Sequence, residues 1–163
     1  MSKDFYKSYI YPHLGIIIKI CRAYTNTQED FEDYFQEVCL QIWRSKANFN
    51  EQSAWSTWVY RLTLNVCLTF TRKKKRNVTV IDNIEHNEID DDYESAFTSE
   101  SFRMLNEAIK KLSKLDRAII LLYLEEKSYK EIAEIIGLSS GNIGTRINRI
   151  KNRLKKILNG KIY

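Results

Sequence analysis

From Gly141 to the end of the chain there are seven Lys and Arg and no Asp or Glu. Arg146, Arg149 and Arg153 lie in that stretch, close behind Ser140, Asn142 and Thr145. Guanidinium forks and short hydroxyl or amide side chains have two natural partners, base edges and phosphate oxygens. A second set occupies the first half. Trp55 and Trp58 precede Arg61 and Asn65, and the segment runs into Arg72-Lys73-Lys74-Lys75-Arg76. Rings beside a basic run suit single-stranded nucleic acid, because rings stack on bases while cations follow the backbone. Both sets also have plainer readings: a helical hairpin with a solvated basic face, and a core helix with a charged tail. For Trp58, Val59, Leu62 and Val66 the core reading fits.

Other chemistries find little support. There is no Gly-rich phosphate loop, no metal-ligand cluster and no nucleophile paired with a base, so neither an enzyme nor a cofactor or metal is expected. Glu125 and Glu126 read as a solvated helix end. Cys21, Cys39 and Cys67 are far apart, and His13 and His86 stand alone. Three reduced, mostly buried thiols in a cytoplasmic protein are expected. No signal peptide is seen, and Ile16-Ile17-Ile18 is too short an apolar run to span a bilayer.

The elements that position these residues are helices. The 163 residues include 5 Gly and 1 Pro, little material for hairpins, while Lys, Glu, Leu and Ile abound. The expected class is all-α: two small helical domains joined by an acidic flexible linker. Residues 1–76 carry 12 Lys and Arg against 7 Asp and Glu, residues 77–100 carry 8 acids and no base, and residues 101–163 carry 14 bases against 6 acids. Basic blocks flanking an acidic bridge suggest that the blocks meet a polyanion and the bridge does not. The bridge, centred on Asp90-Asp91-Asp92, has too little apolar area to order itself.

In the first block, Phe5, Tyr9, Leu14, Ile17, Ile18 and Cys21 recur at helical spacing, with Pro12 bending or restarting the helix. Thr27 and Asp30 give a start signal of capping-box type. Phe31, Phe35, Val38, Cys39 and Ile42 trace an apolar stripe, Ala47–Gln52 reads as a loop, and Ser53 begins a helix carrying Trp55, Trp58, Val59, Leu62, Val66 and Phe70.

The last block reads as a four-helix domain. Met104, Leu105, Ala108, Ile109 and Leu112 form one stripe, and Ser113 and Asp116 open the next helix. Ser128 and Glu131 form a capping box for a short third helix. Ala133, Gly137 four residues on and Ile143 six further specify a helix-turn-helix: a small residue where helices cross, a glycine where the turn favours positive φ, and an inward isoleucine. The last helix runs from about Ser140 to Asn159, with Ile143, Ile147, Ile150, Leu154 and Leu158 inward and Arg146, Arg149, Lys151, Arg153, Lys155 and Lys156 elsewhere. Its early residues would reach base edges and its later bases phosphate. Ser140, Asn142, Thr145, Arg146, Arg149 and Arg153 are the candidates.

Several motifs together resemble a known family. Asp33-Tyr34-Phe35-Gln36-Glu37-Val38 is similar to the Asp-hydrophobic-hydrophobic-Gln-Glu signature of domain two in bacterial RNA polymerase sigma factors. Trp43 and Phe49 follow at that family's spacing. Ser56–Leu62 with Asn65 resembles its melting and minus-ten segment. Ser128–Ala133, Gly137–Ser139 and Gly141–Ile143 resemble its minus-thirty-five helix-turn-helix. The resemblance covers nearly the whole chain and points to the small extracytoplasmic-function (ECF) type, because Trp58 is followed by Val59 rather than a second tryptophan and no third domain intervenes.

The resemblance implies roles. Residues 1–76 would bind core polymerase and the minus-ten element, and residues 101–163 the minus-thirty-five element. Asp33, Gln36 and Glu37 would dock on the clamp coiled coil of the largest polymerase subunit. The loop Asn48, Phe49 and Asn50 would accept a flipped base, with Arg61 and Asn65, while Phe49 can equally serve as a core anchor. Arg72, Lys73, Lys74, Lys75 and Arg76 would hold phosphates. The linker would either mimic nucleic acid in a basic channel or act as a solvated spacer. An anti-sigma protein is a further expected partner. One departure stands out: relatives usually carry a basic residue where this chain has Gly144, which removes one DNA contact; Gly141 and Gly144 could instead allow close approach to the backbone, or simply weaken the helix. A stand-alone helix-turn-helix regulator, dimeric on a palindrome, is the competing function.

Overall fold

The structure is a computed structural model that describes residues 3–77 and 100–160, with side chains described over 3–73 and 100–160. The expected acidic linker, apart from Asn77 and Glu100 at its ends, and the side chains of Lys74, Lys75 and Arg76 lie outside the described residues. The chain divides into two compact units, one with the described residues 3–77 and the other with 100–160. The described residues are helical and contain no strand.

The first unit opens with a short helix α1 (Lys3–Phe5), a π turn at Tyr6–Ile10 and a 3-10 turn at Tyr11–His13 that contains Pro12. Proline lacks an N–H and crowds the preceding turn. The helix therefore changes winding at Pro12 and restarts as α2 (Leu14–Ala23). The restart resets the phase. Ile16, Ile17, Ile20 and Cys21 are buried, whereas Leu14 and Ile18, expected inward, are half-exposed.

Helix α3 (Gln28–Ser45) starts on an extended Thr27 whose hydroxyl accepts from the Asp30 backbone N–H at 3.1 Å. Its inward stripe is Phe31, Tyr34, Val38, Cys39 and Ile42, with Phe35 half-exposed. Helix α4 (Trp55–Asn77) begins two residues later than Ser53. Before it, the Asn50 carboxamide accepts from the Gln52 N–H at 3.2 Å and Glu51 takes φ 60°. That turn occupies the positions an earlier helix start would need. Val59, Tyr60, Leu64, Val66 and Cys67 are buried, and α2, α3 and α4 pack on one another. Two buried threonine hydroxyls bond one turn back along the chain: Thr25, just past the end of α2, donates to the Cys21 carbonyl and Thr63 to the Val59 carbonyl, both at 2.8 Å.

The second unit holds α5 (Glu100–Lys110), α6 (Lys114–Leu124), α7 (Tyr129–Ile136) and α8 (Ser140–Leu158). Ser113 caps α6 through the Asp116 N–H at 3.2 Å. Ser128 and Glu131 form a full capping box on α7, each side chain bonded to the other's backbone N–H. Gly137 ends α7 at φ 88°, and its N–H donates to the Ala133 carbonyl at 2.8 Å. A side chain there would meet the left-handed penalty, which explains the glycine. Ser139, the residue before the expected start, caps α8 through Asn142.

Ile132, Ile143 and Ile147 are fully buried. Each such isoleucine contributes about 1.5–3 kcal/mol of burial free energy. Two inward assignments are corrected. Ile157 is buried and Leu158 is 37% exposed. Both lie one turn beyond Leu154 and equally far from the centre of the stripe, so helical phase alone does not choose between them. Met104 is 48% exposed, because α5 turns Ala108, Ile109 and the following Leu112 inward instead.

Candidate nucleic-acid interface

Helix α8 turns a polar strip away from its own core. At 100° per residue, Gly141, Thr145, Asn148, Arg149 and Asn152 lie opposite the line of Ile143, Ile147, Ile150 and Leu154. All five are exposed. Thr145 and Arg149 were expected in such a strip. Asn148 and Asn152 were not singled out, although their spacing from Thr145 and Arg149 carries the signal: a carboxamide can pair with both N6 and N7 of an adenine. Ser140, Asn142 and Arg153 are also exposed, Asn142 and Arg153 toward one edge of the strip and Ser140 toward the other.

The two edges of α8 are held by neighbouring helices. On one, the Arg146 guanidinium donates to the Asp116 carboxylate of α6 at 3.2 Å. On the other, a side chain at Gly144 would place its Cβ 3.3 Å from the Tyr129 ring of α7. The ring occupies the space where a residue 144 side chain would begin. Farther along that edge, Lys151 donates to the Tyr123 hydroxyl at 2.7 Å and lies 4.5 Å from that ring's centre. This bond, more than any other influence, pushes the ammonium pKa of Lys151 up. Of the bases expected on α8, Arg146 and Lys151 are thus engaged by α6, and Arg149 and Arg153 stand outward.

In the first unit, aromatic rings gather where the loop after α3 meets α4. Phe49 stands edge-on to Trp55 with centroids 5.1 Å apart and lies 5.7 Å from Trp58. Trp55 and Trp58 are 4.7 Å apart. The Trp55 indole N–H donates to the Tyr9 carbonyl at 2.9 Å, which ties the N-terminal turn to the cluster. Phe49 is therefore packed against both indoles, and these contacts fix the loop. Asn48 and Asn50, on either side, are exposed. Lys46, not identified from the sequence, sets its ammonium 3.4 Å from the Trp43 ring centre and 4.8 Å from that of Phe5.

One line along α4 joins the cluster to the basic end. Trp58, Arg61, Asn65, Thr69 and Arg72 fall at steps of three and four residues and so share a face. Asn65, Thr69, Arg72 and Lys73 are exposed and Arg61 is half-exposed. The opposite face carries Val59, Val66 and Cys67 into the core. On α3, Asp33 and Gln36 are exposed, and the Glu37 carboxylate accepts from Gln41 at 2.9 Å. These polar residues alternate with the buried Phe31, Tyr34 and Val38, as an amphipathic helix requires.

The three cysteines are buried and unlinked. Burial pushes the Cys39 thiol up to about 11. Cys67 is also raised, by its contact with Cys21 at a sulfur separation of 4.0 Å and by burial. Neutral, hidden thiols are poor nucleophiles and poor metal ligands. Among the described residues, no group of three His, Cys, Asp or Glu side chains could hold a metal, and no helix is long and apolar enough to cross a membrane.

Comparison with known proteins places both units. Residues 10–77 match the family model described as Sigma-70 region 2, and residues 102–154 that described as Sigma-70, region 4. The RNA polymerase sigma factor SigZ of Bacillus subtilis is 30% identical over 136 residues, 83% of this chain and 76% of that protein. The ECF RNA polymerase sigma factor SigW of the same organism is 29% identical over 95% of this chain and 86% of its own length. Among solved structures, the sigma factor RpoE in complex with the anti-sigma factor NepR from Bartonella quintana matches with a TM-score of 0.72 at 22% identity, covering 97% of this chain and 98% of that one. CnrH in complex with the cytosolic domain of CnrY matches at 0.70 and 18% identity, over 99% of this chain and 92% of that one.

Proposed function

The chain belongs to the sigma-70 family, as an RNA polymerase sigma factor of the ECF type, and we propose that its two helical units divide promoter recognition between them. As a sigma factor it binds core RNA polymerase and directs promoter recognition, DNA melting and transcription initiation at minus-ten and minus-thirty-five elements. The core enzyme makes the phosphodiester bonds, so this chain contributes recognition and needs no catalytic residue or cofactor. Its place is in the cytoplasm, with the polymerase and the chromosome.

Residues 1–76 form the core-binding and minus-ten domain, residues 101–163 the minus-thirty-five domain, and residues 77–100 the linker. On α3, Asp33, Gln36 and Glu37 dock on the polymerase clamp. They offer carboxylates and an amide on the polar side of an amphipathic helix, and the outward position of Asp33 and Gln36 supports this. At minus ten, an extruded base enters beside Asn48 and Asn50. Phe49 acts through the loop it anchors, Arg61 and Asn65 continue the contact along α4, and Arg72 to Arg76 take up phosphates. Extruding a base costs a few kcal/mol of stacking, so a loop already fixed by ring packing spends no further ordering entropy.

At minus thirty-five, the outward strip of α8 enters the major groove, with Ser140, Asn142, Thr145, Arg146, Arg149 and Arg153 as contacts and Asn148 and Asn152 added to them. The observation that carries this reading is that strip: a capped recognition helix whose outward face has amides, hydroxyls and Arg149 but no acid. Both structural relatives were solved with an anti-sigma partner or its cytosolic domain, and this chain is regulated in the same way, by a protein that covers the polymerase- and DNA-binding faces.

Alanine substitutions in holoenzyme test the division of labour. Asn65→Ala should lower open-complex formation while leaving preference at minus thirty-five intact. Asn148→Ala should do the reverse, with a loss of about 1–3 kcal/mol at one base pair. Equal loss at both elements from either substitution would contradict the assignment.

A further inference from the structure

The ion pair on the edge of α8 has a consequence for base reading, and the inference rests on the reading that α8 lies on DNA. We propose that Asp116 is a positioning residue for Arg146: its carboxylate holds the guanidinium in one orientation, so that Arg146 reads one base pair of the minus-thirty-five element.

Arg146 does not stand on the outward strip with Arg149. It lies at the edge opposite Gly144 and Lys151, and its Nη1 donates to Asp116 Oδ1 at 3.2 Å. The side chains keep 40% and 27% exposure, so the pair is at the rim and in part open to solvent. The carboxylate itself comes from a fixed place. Asp116 is in the first turn of α6, its N–H is held by the Ser113 hydroxyl at 3.2 Å, and the next residue, Arg117, donates to the Leu112 carbonyl at 3.2 Å.

Charge separates the roles of the arginines. Phosphate attraction grows with each unneutralised cation. Arg146 carries its own counter-charge and is poorly suited to gripping the backbone. A guanidinium with five donors that spends one on Asp116 keeps enough for the two acceptors O6 and N7 of a guanine. Holding it in advance removes the ordering cost at the moment of binding. Arg149 and Arg153, both exposed and with no ion pair to a carboxylate among those found in the described residues, fit the phosphate role instead.

The test uses the full chain reconstituted with core polymerase on a promoter library randomised across the minus-thirty-five element. Asp116→Asn and Arg146→Lys should each retain core binding and minus-ten preference. Both should lose preference at the same single base pair, by about five- to tenfold. The double variant should lose no more than either single one, and Asp116→Glu should restore part of the preference. Should Asp116→Asn fold poorly, Asp116→Ser decides in its place, because it keeps a small polar side chain in the first turn of α6 and removes the carboxylate. The proposal is overturned if Asp116→Asn lowers the melting temperature but preserves every base preference, if losses spread evenly over the element, or if the two single effects add. A wild-type chain indifferent to the whole element would overturn the placement of α8 itself, and with it this inference.

Discussion

The thiol of Cys39, held near 11 by burial, makes a testable statement about the core of the first unit. Free and buried, the three cysteines should resist a thiol reagent such as Ellman's in the native protein and all react in denaturant; rapid native labelling of Cys39 would contradict the packing. The raised acid also sets a pH dependence. Unfolding frees a thiol that ionises near 9, so the stability it lends is intact below pH 9 and declines as pH rises toward 11. A melting temperature that falls across that window, and falls less in Cys39→Ala, is the expected result. Phe49 is the residue whose two readings the sequence left open, since an aromatic in a loop can anchor or stack. Its contacts with Trp55 and Trp58 are tertiary, and no local spacing encodes them. Phe49→Ala should cost about 2 kcal/mol of stability, measured by denaturant unfolding, as well as promoter melting. Asn48→Ala should affect melting of promoter DNA alone.

At the scale of elements, capping and turn chemistry were legible because they are local. The Ser128 and Glu131 box, the Ser113 cap and the positive φ of Gly137 all stand where the residue types require. Gly137→Ala should cost about 1–2 kcal/mol, since an alanine in the left-handed region bears the steric penalty glycine escapes. Phase was less legible. A stripe ending at Leu154 can continue to either Ile157 or Leu158, and the choice depends on where α5 lies. The restart at Pro12 likewise rotated α2 relative to the expected stripe. Gly144 was read as a missing contact, and the structure adds the Tyr129 ring that covers it. A double substitution separates the two effects. Gly144→Ala should gain about 1 kcal/mol of helix propensity when Tyr129 is also alanine, and less when the ring is present and must give way. Equal gains in both backgrounds, measured by thermal unfolding, would show that the ring does not press on α8.

For the whole molecule, the charge plan is readable in the sequence: basic blocks at 1–76 and 101–163 around an acidic segment. What it could not show was that Arg146 and Lys151 are engaged within the fold, by Asp116 and Tyr123. Net charge overstates the cations available to phosphate. Binding of holoenzyme to promoter should still weaken steeply with salt. Arg153→Ala should reduce the slope of log affinity against log salt by about 1, whereas Arg146→Ala should change it little. Equal effects would mean that the Asp116 pair opens on DNA.

The measurement that bears most directly on the central claim is reconstitution of the full chain with purified bacterial core RNA polymerase, followed by mapping of transcription start sites on a genomic promoter library. A stable complex that initiates at a defined set of promoters, sharing elements near minus ten and minus thirty-five, is the expected result. No binding to core, together with tight binding of the free protein to a palindromic duplex, would contradict it and identify a stand-alone helix-turn-helix regulator.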